Sequence, residues 1–104
     1  MSAAEPADGV RMVVNVRGYL TFRDLVGKRQ VELEQGATLR RLLEALAQEL
    51  GEGYTRQVLD CKGGLQRAVG VLVNGVHRAH SPDGLETVLR AGDEIAIFPP
   101  MAGG

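Results

Sequence analysis

The residues best placed to do chemistry stand at the end of the chain. Asp93-Glu94-Ile95-Ala96-Ile97-Phe98 runs into Pro99-Pro100-Met101-Ala102 and then into Gly103-Gly104. Two prolines hold φ at roughly −65° and carry the following residues away from the strand before them. Glycine has no Cβ, so a foreign backbone can close tightly around positions 103 and 104. The group presented this way is the Gly104 carboxyl. Its ordinary pKa of about 3.3–3.7 leaves it ionised and a poor electrophile at neutral pH. It therefore needs activation, for example as an acyl-adenylate. Extended at roughly 3.3 Å per residue, Met101–Gly104 spans about 13 Å, enough to enter a narrow cleft. A diglycine alone is a weak signal. After a patterned strand and a Pro-Pro step it is a specific one.

Other constellations compete poorly. His80, Ser81 and Asp83 fall within four residues of one turn. Nucleophile, base and orienting acid need separate segments to reach triad geometry. His77 and His80 are three apart after a hairpin signal, where such spacing points to opposite faces, and no third ligand is evident. No metal site is expected. Cys61 beside Lys62 reads as a plain cysteine, because no base or helix terminus flanks it. Neither a Walker A nor a GxGxxG pattern is present, so ATP would have to come with a partner enzyme.

Composition narrows the function further. With 104 residues and 44% hydrophobic content, the chain can form one domain with a real core. Net charge is −1 and no basic run occurs, which argues against nucleic acid. Ten of the twelve basic residues are Arg, with Lys28 and Lys62 the two lysines. One cysteine excludes an internal disulfide. No stretch has the apolar length of a membrane span or the pattern of a signal peptide, so a cytoplasmic location is the default expectation.

The elements that must position the terminus read as follows. Val10, Met12, Val14 and Val16 alternate with outward positions, which predicts a strand, and Arg29–Glu34 predicts a second one paired antiparallel. Tyr19–Gly27 connects them, with Phe22 and Leu25 tucked inward. Leu39, Leu42, Leu43, Leu46 and Leu50 share one helical face, capped by Thr38 and ended by Gly51. Arg40 and Glu44 are spaced for an i,i+4 pair. Tyr54–Leu59 suggests a short helical turn, and 60–64 a loop. Val69–Val73 is a third strand, Asn74-Gly75 a type I′ turn, and Val76–Arg78 a short return. Ser81–Gly84 is a turn, Leu85–Leu89 a turn or 3₁₀ piece, and Glu94–Phe98 the last strand. This order predicts an α+β fold, a mixed sheet of four to five strands on one main helix. If the first and last strands lie side by side, the apolar run Ile95-Ala96-Ile97 fits a central strand. Residues 1–9 read as a flexible leader, 10–100 as the domain and 101–104 as a flexible tail.

The run Leu89–Gly104 resembles the MoaD/ThiS family of ubiquitin-like sulfur carriers, closest to MoaD. Gly92-Asp93-Glu94, the apolar strand, Phe98-Pro99-Pro100 and Gly103-Gly104 carry the likeness. Arg23–Gly27, Thr38-Leu39 and Val71–Gly75 support it. The resemblance implies a β-grasp (ubiquitin-like) fold and a non-catalytic carrier without a cofactor. It implies that Gly104, with Gly103 giving clearance, is adenylated by an E1-like enzyme and converted to a thiocarboxylate. Phe98, Pro99, Pro100, Met101 and Ala102 would form the partner-binding surface and tail. The implied partners are that adenylating enzyme and a molybdopterin synthase large subunit or another sulfur-accepting enzyme. Carriers for cysteine biosynthesis and modifiers conjugated to lysines share the same tail chemistry.

Overall fold

A computed structural model of the protein describes residues 11–60, 64–77 and 84–100. The alternation of apolar residues builds β1 (Arg11–Gly18) and β2 (Lys28–Glu34) as an antiparallel hairpin. Met12, Val14, Val16, Val31 and Leu33 all point to one side and are buried. The connection holds a one-turn helix, α1 (Phe22–Leu25), which sinks Phe22 into the core with Leu25 partly buried beside it. Val10, expected to open the first strand, lies outside the described residues.

The leucine stripe forms α2 (Leu39–Leu50) and buries Leu39, Leu42, Leu43 and Leu46 against the sheet. Thr38 caps it by accepting from Arg41 N at 3.2 Å. Gly51 ends it at φ 82°, a conformation that favours glycine, and donates its N–H to Ala47 O. The expected Arg40–Glu44 pair does not form. Arg40 turns instead to Glu86, 2.8 Å away, because the strand-like strap at 87–89 lies along the start of α2. Leu39 N donates to Thr87 O, and Leu89 N to Ala37 O, both at 2.9 Å. Glu86 belongs to a 3₁₀ turn, Gly84–Glu86.

What read as a short turn is a full helix, α3 (Glu52–Val58). Tyr54 and Val58 are one turn apart and both buried, and Tyr54 Oη donates to Leu43 O at 3.0 Å, tying α3 to α2. Burial of that hydroxyl pushes its pKa well above the usual tyrosine value. Gln66 Nε2 donates to Arg56 O and Leu59 O, which satisfies carbonyls at the end of α3.

β3 (Gly70–Val73) and β4 (Val76–His77) form a second hairpin. Asn74 and Gly75 have φ of 52° and 85°, as a type I′ turn requires. β5 (Glu94–Phe98) lies between β3, antiparallel, and β1, parallel, giving the sheet order β2-β1-β5-β3-β4. This is the expected α+β architecture, a mixed sheet of five strands; the structure sets β1 and β5 side by side, which makes Ile95-Ala96-Ile97 part of a central strand. Ile95 and Ile97 bury under α2, while the alternate residues Glu94, Ala96 and Phe98 face away from it.

Candidate functional site

The chain reaches its terminus from β5, so the site is built by whatever fixes the register and exit of that strand. Two turns that look unrelated in the sequence lock its entry. Asn74 Nδ2 donates to Asp93 Oδ1 at 2.9 Å, and Asn74 Oδ1 accepts from Glu94 N at 2.9 Å. Asp93 Oδ2 also accepts from Arg90 N at 2.8 Å, and Gly92 N donates to Val13 O at 2.8 Å. The Gly92-Asp93-Glu94 and Asn74-Gly75 signals are thus halves of one clamp.

The exit is fixed on the other side. Tyr19 N donates to Ile97 O at 3.0 Å, extending the β1–β5 ladder by one residue. That places Tyr19 beside Phe98, and the rings stack with centroids 4.6 Å apart and planes 10° from parallel. Such a pair adds about 0.5–1.5 kcal/mol beyond area burial. Arg17 lies over the Tyr19 ring at 5.8 Å, with Nη1 3.5 Å from Tyr19 Oη. Gly18 permits the crossing: a Cβ there would stand 2.3 Å from Phe22 O and 2.8 Å from Val26 Cβ.

Beyond the strand, Pro99 is buried and Pro100 is exposed, while Phe98 is half-buried. Pro99 thus anchors the root, and Pro100 and the open edge of Phe98 remain available for contact. Met101, Ala102, Gly103 and Gly104 lie outside the described residues, as do Cys61, His80, Ser81 and Asp83.

The face of the sheet away from α2 continues from this root. Across it, the strand registers set His77, Leu72, Ala96, Arg17 and Lys28 in one row, with Phe98 and Tyr19 in the next. Leu72 and Ala96 are half-buried and His77 is exposed. The surface is a shallow hollow of about 850 Å³, open to solvent. Its apolar centre and polar surround suit protein contact. Sequence reasoning found Phe98 but missed Tyr19, Arg17, Leu72 and Ala96. Their outward phase is readable from strand alternation; their meeting depends on the parallel β1–β5 register. Among the described residues, no three His, Cys, Asp or Glu side chains gather to hold a metal.

Comparison with known proteins agrees with this architecture. The ThiS family model matches residues 19–104. Small archaeal modifier protein 3 of Haloferax volcanii is 34% identical over 95 residues, covering 89% of this chain and all of that one. The molybdopterin synthase sulfur carrier subunit of Haemophilus influenzae is 33% identical over 93 residues, covering 88% of this chain and all of its own. Among solved structures, a Haloferax volcanii protein determined in solution superposes with a TM-score of 0.77 at 33% identity, covering 91% of this chain and 89% of that one. With a five-stranded β-grasp sheet and a family match running from residue 19 to the last residue, the chain belongs to the ThiS family of ubiquitin-like sulfur carriers and modifiers.

Proposed function

We propose that this protein carries sulfur on its C-terminal carboxyl for molybdopterin-type cofactor synthesis. The observation that carries the reading is the exit of β5. Pro99 is buried as an anchor, Pro100 is exposed, and the remaining four residues end in Gly103-Gly104. The Gly104 carboxylate attacks the α-phosphorus of ATP on an E1-like adenylating enzyme, and pyrophosphate leaves. A hydrosulfide equivalent then attacks the acyl carbon and displaces AMP, leaving a thiocarboxylate. The acceptor takes the sulfur, and water returns the carboxylate. The chain supplies no catalytic group; it supplies a reach, a clearance at Gly103 and a docking face. The similarity to a molybdopterin synthase sulfur carrier subunit supports a synthase large subunit as the partner that takes the sulfur. Incubation with the adenylating enzyme, ATP and a sulfur donor, followed by intact-mass and terminal-peptide measurement, tests this. An oxygen-to-sulfur exchange confined to Gly104 is expected; an unchanged terminus refutes it.

A second reading, attachment to lysines of other proteins, is favoured by the likeness to small archaeal modifier protein 3. Its mark is a Gly-Gly remnant on lysines in digests of whole-cell protein. Both readings share the adenylate, so the fate of that intermediate separates them.

A further inference from the structure

Five arginines on the described surface pair with carboxylates: Arg11 with Glu32, Arg29 with Glu49, Arg40 with Glu86, Arg41 with Glu34 and Arg56 with Glu52. Of the described lysines and arginines without such a pair, Arg67 and Arg90 lie elsewhere, and the other three gather at one corner, beside the root of the tail. Arg17, Arg23 and Lys28 are all exposed and line one hollow of about 620 Å³, in which Asp24 is the one carboxylate. This hollow shares Arg17, Tyr19 and Lys28 with the hollow on the open sheet face, so the two are continuous.

Leu20 adds a second observation. It stands on the rim of this corner, 53% exposed, with φ at 55°. A leucine in the left-handed region is uncommon and costs on the order of 1 kcal/mol. Neither burial nor backbone geometry rewards the side chain there. The corner therefore presents an apolar knob ringed by unpaired positive charge, on a chain whose net charge is −1. A protein surface with an apolar recess and an acidic rim is its complement. Three cations on a chain of net charge −1 are too few for a nucleic-acid footprint.

We propose that the corner formed by Arg17, Leu20, Arg23 and Lys28 is where the adenylating enzyme docks, through an acidic rim around an apolar recess. The proposal deepens the sulfur-carrier reading and rests on it for the identity of the partner. Charge at this corner steers encounter and orients the tail root, and Leu20 holds the complex once formed.

The test uses the full chain and the ubiquitin-activating-like adenylating enzyme encoded in the same genome. Association and dissociation are measured without ATP, and pyrophosphate release is followed separately. The triple variant R17E/R23E/K28E is expected to associate about 10- to 100-fold more slowly at low salt. The wild-type rate should fall with added salt, and the variant's should not. R17K/R23K keeps the charge and restores the rate. Leu20→Asn, which tolerates the left-handed backbone, should dissociate several-fold faster with an unchanged Tm. Arg90→Glu, at the opposite end of β5, should bind like the wild type.

Wild-type rates in the triple variant, or a salt-insensitive wild type, overturn the proposal while pyrophosphate release leaves the sulfur-carrier reading standing. Binding that follows the pattern without pyrophosphate release upholds the corner and refutes that reading. No binding by the wild type overturns the proposal.

Discussion

Ile97 and Phe98 are neighbours in the chain and opposites in the molecule. Ile97 is wholly buried beneath α2, among leucines and valines. Phe98 faces the open side, half-buried, stacked on one ring and otherwise available. The same contrast holds along all of β1 and β5: one face is closed by a helix, the other is open to solvent. Stability and, on the proposed function, docking are thus separated by the two-residue period of a strand. Substitutions one position apart should split them.

The largest effect belongs to the closed face. Ile97→Ala should cost about 2–5 kcal/mol, since the cavity lies where α2 and the sheet interlock. Phe98→Ala should cost far less stability yet slow adenylation, because it removes the ring beside the tail root. Urea unfolding and pyrophosphate release measured on both variants check the split. If Phe98→Ala unfolds the protein as readily as Ile97→Ala, the contrast between faces fails.

Gly18→Ala probes how tightly the closed face is packed at the crossing. The new Cβ would meet the Phe22 carbonyl at 2.3 Å, and backbone cannot swing aside as a side chain can. A loss of about 1–3 kcal/mol is expected. Because Gly18 also sets Tyr19 against Phe98, the stack should loosen, visible as a change in the near-ultraviolet tyrosine signal.

Sequence patterns reported the closed face well and the open face poorly. Leu39–Leu50 could be read because one residue in each turn must meet the core, and Met12, Val14 and Val16 because alternate residues must. Asn74-Gly75 could be read because both positions need positive φ. The α3 helix was understated: over seven residues only Tyr54 and Val58 face inward, too few to establish a period. Arg40 chose Glu86 over Glu44 because a strap distant in sequence came closer than its own helix offered. The proposed site rests, in the sequence, on the diglycine and Phe98-Pro99-Pro100, whose signal is local; of these the described residues reach Pro100. Arg17, Tyr19 and Leu72 were not legible there, because their proximity to Phe98 is created by pairing strands far apart in the chain.

Tyr54→Phe sharpens the comparison through pH. Removing the hydroxyl takes from Leu43 O the donor that ties α3 to α2 and should cost about 1 kcal/mol at neutral pH. Burial raises the native hydroxyl's pKa above the unfolded value of about 10. The stabilisation is therefore complete below about pH 10 and lost as pH rises beyond it, when the unfolded chain ionises first. Phenylalanine has no such term. The gap between wild type and variant in urea unfolding should begin to narrow near pH 10, roughly the unfolded tyrosine pKa, and go on narrowing above it. A constant gap would mean that the hydroxyl reaches water in the native state.

The smallest effect is expected on the open face, at the end away from the tail. Arg11 and Glu32 face each other there at 3.7 Å, both well exposed. An exposed pair of this length is screened by salt and contributes about 0.5 kcal/mol or less. Arg11→Ala should leave urea unfolding nearly unchanged, and it should leave association with the adenylating enzyme unchanged as well. Arg17 sits on the same strand and the same face, six residues nearer the tail root, with no carboxylate partner among the described residues. If truncating Arg11 slowed association as much as truncating Arg17, the whole open face would act as one electrostatic surface, and position relative to the tail would not matter. Unequal effects would place recognition at the tail end, where Arg17, Arg23 and Lys28 gather beside the Tyr19–Phe98 stack.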